Sequence, residues 1–302
     1  MFTTLVAVLV ALALGHVAPA AAVALRRFTA YRHWLQWLDR HGGGQANEHR
    51  GFWRGRHGWV VAVLPWVLLL ALLQWALHDR LYGLPSLLLG IATLVICWGP
   101  RDLDRDVETV IDADDSHTRH AAIAQLQSAG GSLQEDVGSL VEATVLNALR
   151  RWFAVLFWFL LLGPAGALAY RLLTLLAVGP MRSLATVETV VGARQVLGWL
   201  EWPVAQLMSL SMALVGNFDT AWKAWREAHG NQWAASTVFL GAVARASVSA
   251  ELREDAHDYS EAGMVPVWRR LPELRDAMSL VWRMLLLWMA ALAVLVIAGW
   301  VT

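Results

Sequence analysis

The sequence predicts an all-α, polytopic integral membrane protein, and three observations carry that prediction. First, 57% of the 302 residues are hydrophobic and only 16% are charged, whereas soluble globular chains run at roughly 45–50% apolar and about 25% charged. Second, formal charge is missing from long stretches. Phe2–Leu25, Trp59–Leu77, Leu81–Trp98 and Met284–Val301 carry none, and Trp152–Val178 carries only Arg171. A helix needs about 20 mostly apolar residues to cross a bilayer, and five such stretches in one chain of this length could not all find interior positions in a soluble fold. Third, the polar segments between them read as amphipathic helices suited to the membrane surface. The expected architecture is therefore about four to five transmembrane helices, a re-entrant or kinked helix, and amphipathic interfacial helices, forming a single membrane domain over 1–302.

The same counts exclude several functions. Twenty-four Lys and Arg balance twenty-four Asp and Glu, so there is no net field to attract nucleic acid, and none is expected as a partner. Cys97 is the single cysteine, which rules out a disulfide framework or a cysteine-based metal cage. The chain has no P-loop, no G-x-S-x-G elbow, no H-E-x-x-H and no G-x-G-x-x-G. No catalytic residue, metal or cofactor is predicted, and the lipid bilayer is the first partner.

Residues 1–99 form a three-helix N-terminal part. Ala18-Pro-Ala20 and Ala20-Ala-Ala22 have the small-residue spacing of a signal-peptide cleavage site, but Met1–Thr4 lacks the positive charge of such a peptide. Seven arginines follow between Arg26 and Gly58, and that basic loop, 26–58, belongs on the cytoplasmic side. The first run is accordingly read as an anchor with the amino terminus outside. Within the loop, Arg26–Arg40 mixes arginine with aromatic and aliphatic residues at helical spacing, and His41-Gly-Gly-Gly44 ends that helix. Histidines 33, 41, 49 and 57 recur every eight residues; zinc sites on helices want three or four, so the recurrence is coincidence. Trp59–Leu77 then runs outward, His78-Asp-Arg80 turns, and Leu81–Trp98 returns.

Residues 100–151 become a cytoplasmic helical loop. Asp102, Asp104 and Asp106 have the opening spacing of a calcium loop, but Val107 stands where its glycine is needed and Ala113 where its glutamate is needed. The run Arg101–Glu108 is expected to be a solvated acidic helix start. Asp114-Asp-Ser116 predicts an N-cap for a short helix, which Ser128-Ala-Gly-Gly131 ends. A second helix from Ser132 runs through Val141–Asn147 into Arg150-Arg151, which would anchor the next apolar stretch at the interface.

That stretch, 152–178, is interrupted by Gly163-Pro-Ala-Gly166. Proline removes a backbone hydrogen bond and glycine loosens a helix, so either a kinked span or a re-entrant pair of half-helices fits, and broken membrane helices often line binding sites. The choice decides the side on which 179–283 lies; its ten Lys and Arg lean toward the cytoplasm. This segment also holds seven tryptophans, at 199, 202, 222, 225, 233, 268 and 282, residues that favour a half-wet surface. Pro203–Gly216 is uncharged but too short to span. Asp219–Ala228 and Asp276–Leu286 are amphipathic, and the latter feeds the last helix, 284–302.

Several of these residues carry a pattern. Asp115-Ser-His-Thr-Arg119 and the run from Arg151 through Gly163-Pro-Ala-Gly-Ala-Leu-Ala-Tyr170-Arg171 resemble the AmpE family of inner-membrane proteins, relatives of the cobalamin-biosynthesis CobD/CbiB family. Trp199-Leu-Glu-Trp-Pro-Val-Ala-Gln-Leu207 and Gly230-Asn-Gln-Trp-Ala-Ala235 are similar to two further stretches of the same families. The CobD/CbiB enzymes join an aminopropanol unit to a corrinoid carboxylate, which calls for acids and amides to position metal, phosphate and amine. Here Val141–Asn147 keeps Glu142 and Asn147 of a Val-Glu-Ser-Val-Ala-Glu-Asn pattern but has Leu146 for the second glutamate. Leu173-Thr-Leu-Leu176 stands for Asn-Thr-Leu-Asp, and Ala234-Ala-Ser236 lacks the acid after the Trp233 segment.

The resemblance thus implies the scaffold without the ligase chemistry: a bacterial inner-membrane, multi-pass sensor or modulator in signalling between cell-wall recycling and β-lactamase induction. It implies functional association with the cytoplasmic amidase AmpD, and it leaves room for a cell-wall-derived or other anionic small ligand and for a homo-oligomer. A CobD/CbiB-type ligase and a small-molecule transporter are the alternatives. The candidate ligand-binding set is Glu142, Asn147, Tyr170, Arg171, Asn231 and Trp233, at a cytoplasmic rim. Arg171 leads it, because an arginine in an apolar stretch is costly unless it pairs or binds an anion; a snorkelling role or a pairing with Glu142 is the plainer reading.

Overall fold

A computed structural model of the chain describes residues 7–8, 10–11, 28–41, 52–77, 84–98, 103–127, 136–232, 236–261 and 271–298. Every regular element among them is helical. Among the described residues, three helices are long and apolar enough to cross a membrane: Gly58–Leu77, the extended Val137–Ala177, and Pro272–Ile297. This is an all-α, polytopic membrane architecture. Most of the predicted first span, Phe2–Leu25, lies outside the described residues, as do the His78–Arg80 turn and His49.

The chain divides into two compact units, 1–100 with 154–200 and 293–302, and 101–153 with 201–292. The first unit begins with α1 (Thr29–His41). Tyr31, Leu35 and Leu38 are buried at helical spacing while Arg32, His33, Asp39 and Arg40 face out, the amphipathic pattern expected of 26–40. Burial pushes the Tyr31 phenol well above the usual tyrosine range, so it stays neutral. The 20-residue α2 (Gly58–Leu77) is about 30 Å long, the thickness of a bilayer core. It leaves Leu64, Leu68, Leu69, Leu72, Leu73 and Trp75 exposed, a surface that only lipid solvates at low cost. Of the third predicted span, Leu81–Trp98, residues 81–83 lie outside the described residues, and α3 (Leu84–Cys97) accounts for 14 residues, about 21 Å of helix.

Both α2 and α3 pack on α7 (Ala154–Ala177). The interruption predicted at Gly163–Gly166 is present. Gly163 adopts φ 71°, ψ −159° inside an otherwise helical stretch, a left-handed value open to glycine without steric penalty. The freed backbone is met by a side chain, since the Ala165 N–H donates to Gln74 Oε1 at 3.4 Å. After the 3₁₀ turn Pro180–Leu184, α8 (Val187–Val215) begins.

The second unit contains α4 (Leu103–Asp112), α5 (Ser116–Gln127) and α6 (Val137–Ala148), followed by a five-residue π-helical turn, Leu149–Phe153. It also holds α9 (Phe218–Glu227), α10 (Val238–Glu261) and most of α11 (Pro272–Ile297). The predicted cap of α5 is formed: the Thr118 N–H donates to Asp115 Oδ1 at 3.0 Å. An equivalent cap opens α9, where Thr220 N–H donates to Asn217 Oδ1 at 3.1 Å. α6 and α9 both pack on α10, and α5 packs on α4 and α6.

The run Pro203–Gly216, too short to span by itself, is helical up to Val215 as the later part of the 29-residue α8. The charge that bounds the run in sequence, Glu201, is buried against an arginine, so it does not stop the helix. Asp276–Leu286 and the final apolar run are one continuous helix, as expected.

Candidate functional site

In the first unit, α7 carries Tyr170 and Arg171, both buried. Arg171 lies within electrostatic reach of the buried Cys97 thiol at the end of α3. The positions after it, Leu173, Thr174, Leu175 and Leu176, are all buried, and Thr174 Oγ1 donates back to the Tyr170 carbonyl at 2.8 Å. Where the ligase pattern has an amide and an acid, this chain packs leucine.

The second unit holds Glu142, Asn147 and Asn231 of the predicted set; Trp233 lies outside the described residues. Glu142 and Asn147 sit little more than one turn apart on α6 and turn to different partners. Glu142 forms an ion pair with Arg245 of α10. The Asn147 amide donates to the Leu126 carbonyl at 2.7 Å and to that of Ala143 at 2.8 Å, tying the end of α5 to α6. Asn231 is exposed in the turn after α9. The structure therefore brings no two of these three side chains onto common partners.

It assembles instead a polar network that the sequence did not reveal. The π turn widens the helix at Leu149–Phe153, and such turns are frequent at functional positions. Its consecutive arginines point to two different helices. Arg151 Nη1 donates to Asp106 Oδ2 of α4 at 2.6 Å, with both side chains buried. Arg150 Nε donates to Glu201 Oε1 of α8 at 2.8 Å. Two expectations are corrected here. Asp106 is not part of a solvated acidic start, because a buried guanidinium demands a counter-ion and Asp106 supplies it. Arg150 and Arg151 likewise do not reach out to an interface; their heads are taken up inside the protein.

Further ties of the same kind run through the unit. Arg283 Nη2 donates to both carboxylate oxygens of Glu251 at 2.6 Å. Gln206 accepts from Trp225 Nε1 at 2.8 Å and donates to the Gly230 carbonyl. Glu201 stands in the sequence as the lone charge between Leu197 and Gly216, and Gln74 as the one amide in its span. Each was a visible anomaly that could have been followed. Chemically, the network orients helices and holds charge. Among the described residues, no three His, Cys, Asp or Glu side chains converge on a point that a metal ion could occupy.

Comparison with known proteins adds the following. A family model described as "Regulatory signalling modulator protein AmpE" matches residues 57–299. A cobalamin biosynthesis protein CobD of Stutzerimonas stutzeri (strain A1501) is 30% identical over 281 residues, covering 87% of this chain and 88% of that protein. A protein of the same name from Chromobacterium violaceum is 28% identical over 181 residues, 58% of this chain and 57% of its own length. No solved structure matches the chain.

Proposed function

The chain belongs to the AmpE family, and on that premise we propose that it works in the bacterial inner membrane as a multi-pass modulator of signalling between cell-wall recycling and β-lactamase induction. The observation that carries the reading is the family match across 57–299. The geometry agrees with a modulator better than with an enzyme. A group-transfer site must present acids and amides to its substrate. Here Glu142 is engaged by Arg245, the Asn147 amide is engaged by two carbonyls, and Leu173, Leu175 and Leu176 are packed inside. A modulator needs an element that a ligand or partner can bias, and an incoming anion that competed for the arginine of one of these ion pairs would loosen the helix contact that the pair holds.

On this reading the partners are the bilayer and, functionally, the AmpD amidase. The input is a cell-wall-derived or other anionic small molecule, with Tyr170 and Arg171 as the candidate receivers in the first unit and Glu142, Asn147 and Asn231, taken separately, as the candidates in the second, in a monomer or a homo-oligomer. Deletion of the gene should change β-lactamase activity after induction, with full-length protein restoring it and Arg171→Ala or Glu142→Ala failing to restore it. Unchanged induction in the deletion strain would sink the proposal. The likeness to CobD over 281 residues supports a second reading, amide ligation in corrinoid assembly. That reading predicts that the chain restores corrinoid synthesis to a strain lacking its own CobD, and such restoration would displace the modulator.

A further inference from the structure

We propose that the end of α8 together with α9 forms an edge that docks the second unit into the lipid headgroup layer, with Phe218 and Trp222 at the boundary between acyl chains and headgroups. On α8, Val204, Ala205, Met208 and Met212 are buried, while Leu207, Leu210 and Leu214, spaced three and four residues apart on the opposite face, stay 40%, 49% and 62% exposed. The chain turns at Gly216-Asn217, and the exposed apolar row continues on α9 with Phe218 and Trp222. Their rings stack at 6.1 Å, and Trp222 stacks on Trp225 at 4.8 Å.

The row is held rigid from behind. Trp225 donates to Gln206 on α8, Ala221 is buried on the inner side of α9, and Gly230 leaves the space that the Trp225 ring fills, since a Cβ there would stand 2.3 Å from its Nε1. On the outer flank the charges are balanced. Asp219 and Glu227 match Lys223 and Arg226, and Lys223 lies 4.0 Å from Glu227.

This composition selects the occupant. An uncharged leucine stripe that leads into an aromatic row edged by charges has the order of a bilayer from core to headgroup. The three bilayer-length helices among the described residues bring that phase with them. The neutral flank offers no field for an acidic or basic protein partner, so docking depends on apolar area and is indifferent to anionic lipid.

The test uses the full chain in nanodiscs, with Cys97→Ala as background and nitroxides at Leu210→Cys, Leu214→Cys, Phe218→Cys, Trp222→Cys, Lys223→Cys and Glu227→Cys. Collision with oxygen should exceed collision with a water-soluble nickel chelate at 210, 214, 218 and 222. The order should reverse at 223 and 227, with the same profile in zwitterionic discs and in discs containing phosphatidylglycerol. If either aromatic variant fails to insert, the contrast of 210 and 214 with 223 and 227 decides the question. Nickel-dominated collision along the whole row would overturn the proposal by showing a water-facing edge. Exclusion of both reagents would overturn it too, with spin–spin coupling between chains then identifying a second copy as the cover.

Discussion

The two units satisfy their polar groups in different ways. In the first, the bonds that join its segments run largely from side chain to backbone, beside the Arg56–Gln195 bond and the exposed Arg54–Asp39 pair. Thr189 Oγ1 donates to the carbonyls of Trp53 at 2.8 Å and Gly55 at 3.1 Å, Thr186 Oγ1 to that of Arg54 at 3.0 Å, and Arg194 Nε to that of Ala177 at 3.0 Å. In the second, side-chain amides also reach carbonyls, but four ion pairs are added, Asp106–Arg151, Glu201–Arg150, Glu142–Arg245 and Glu251–Arg283. A carbonyl is already a fixed partner, so using one desolvates little that folding has not desolvated anyway. A buried ion pair must strip water from two charges and regains that cost only in good geometry. The first arrangement suits helices lodged in lipid. The second fixes which helices meet and in what register, and it fails abruptly when one partner is lost.

The largest expected effect tests that asymmetry. Asp106→Ala leaves the Arg151 guanidinium buried without its carboxylate and should cost about 3–5 kcal/mol. Replacing both together, Asp106→Leu with Arg151→Met, removes the stranded charge and should recover most of that loss. Denaturant titration of the solubilised protein, run as a double-mutant cycle, measures both values. If the double variant is no more stable than Asp106→Ala, the second unit does not depend on matched charge.

The contrast also explains what the sequence could and could not tell. Apolar runs are local, so α2, the stretch around Gly163 and the final helix were legible from composition alone. So were the N-cap at Asp115 and the break at Gly163-Pro164, which depend on neighbouring residues. Ion pairs are not local. Asp106 and Arg151 are 45 residues apart, Arg150 and Glu201 are 51, and Glu142 and Arg245 are 103. No periodicity links such positions, and an acid among other acids at 102–108 looks solvated until its partner is placed. Of the candidate site, Glu142 and Asn147 were identified as residues but not by their partners. Arg171 was noticed because charge in an apolar stretch is conspicuous, whereas its burial depends on how α3 and α7 pack.

In the first unit the sensitive points are close backbone approaches. Gly192 of α8 lies against the turn before α2; a Cβ there would stand 1.8 Å from the Arg56 carbonyl oxygen, and neither side is a flexible side chain. Gly192→Ala should therefore cost about 1–3 kcal/mol through overpacking, and no second-site change of charge should rescue it. Thr189→Val keeps the shape of the same contact and removes only its hydroxyl. Its expected cost is about 1 kcal/mol, because the Trp53 and Gly55 carbonyls lose that donor. The same titration reads both, and a Thr189→Val loss equal to that of Asp106→Ala would erase the distinction drawn between the units.

The smallest effect isolates burial as the cause. Lys223 and Glu227 form an i, i+4 pair at 4.0 Å, with side chains 77% and 67% exposed. It lies in the same unit as Asp106–Arg151 and has the same kinds of charge, but water already solvates both ends. Exposed pairs of this type contribute roughly 0–0.5 kcal/mol and are screened by salt. Lys223→Ala should thus shift stability by less than about 0.5 kcal/mol, and added salt should shrink even that. Asp106→Ala should keep most of its cost at the same ionic strength, because a buried pair is poorly screened. If salt abolished both effects alike, the ion pairs of the second unit would be surface electrostatics, and the register they impose on its helices would have to come from apolar packing instead.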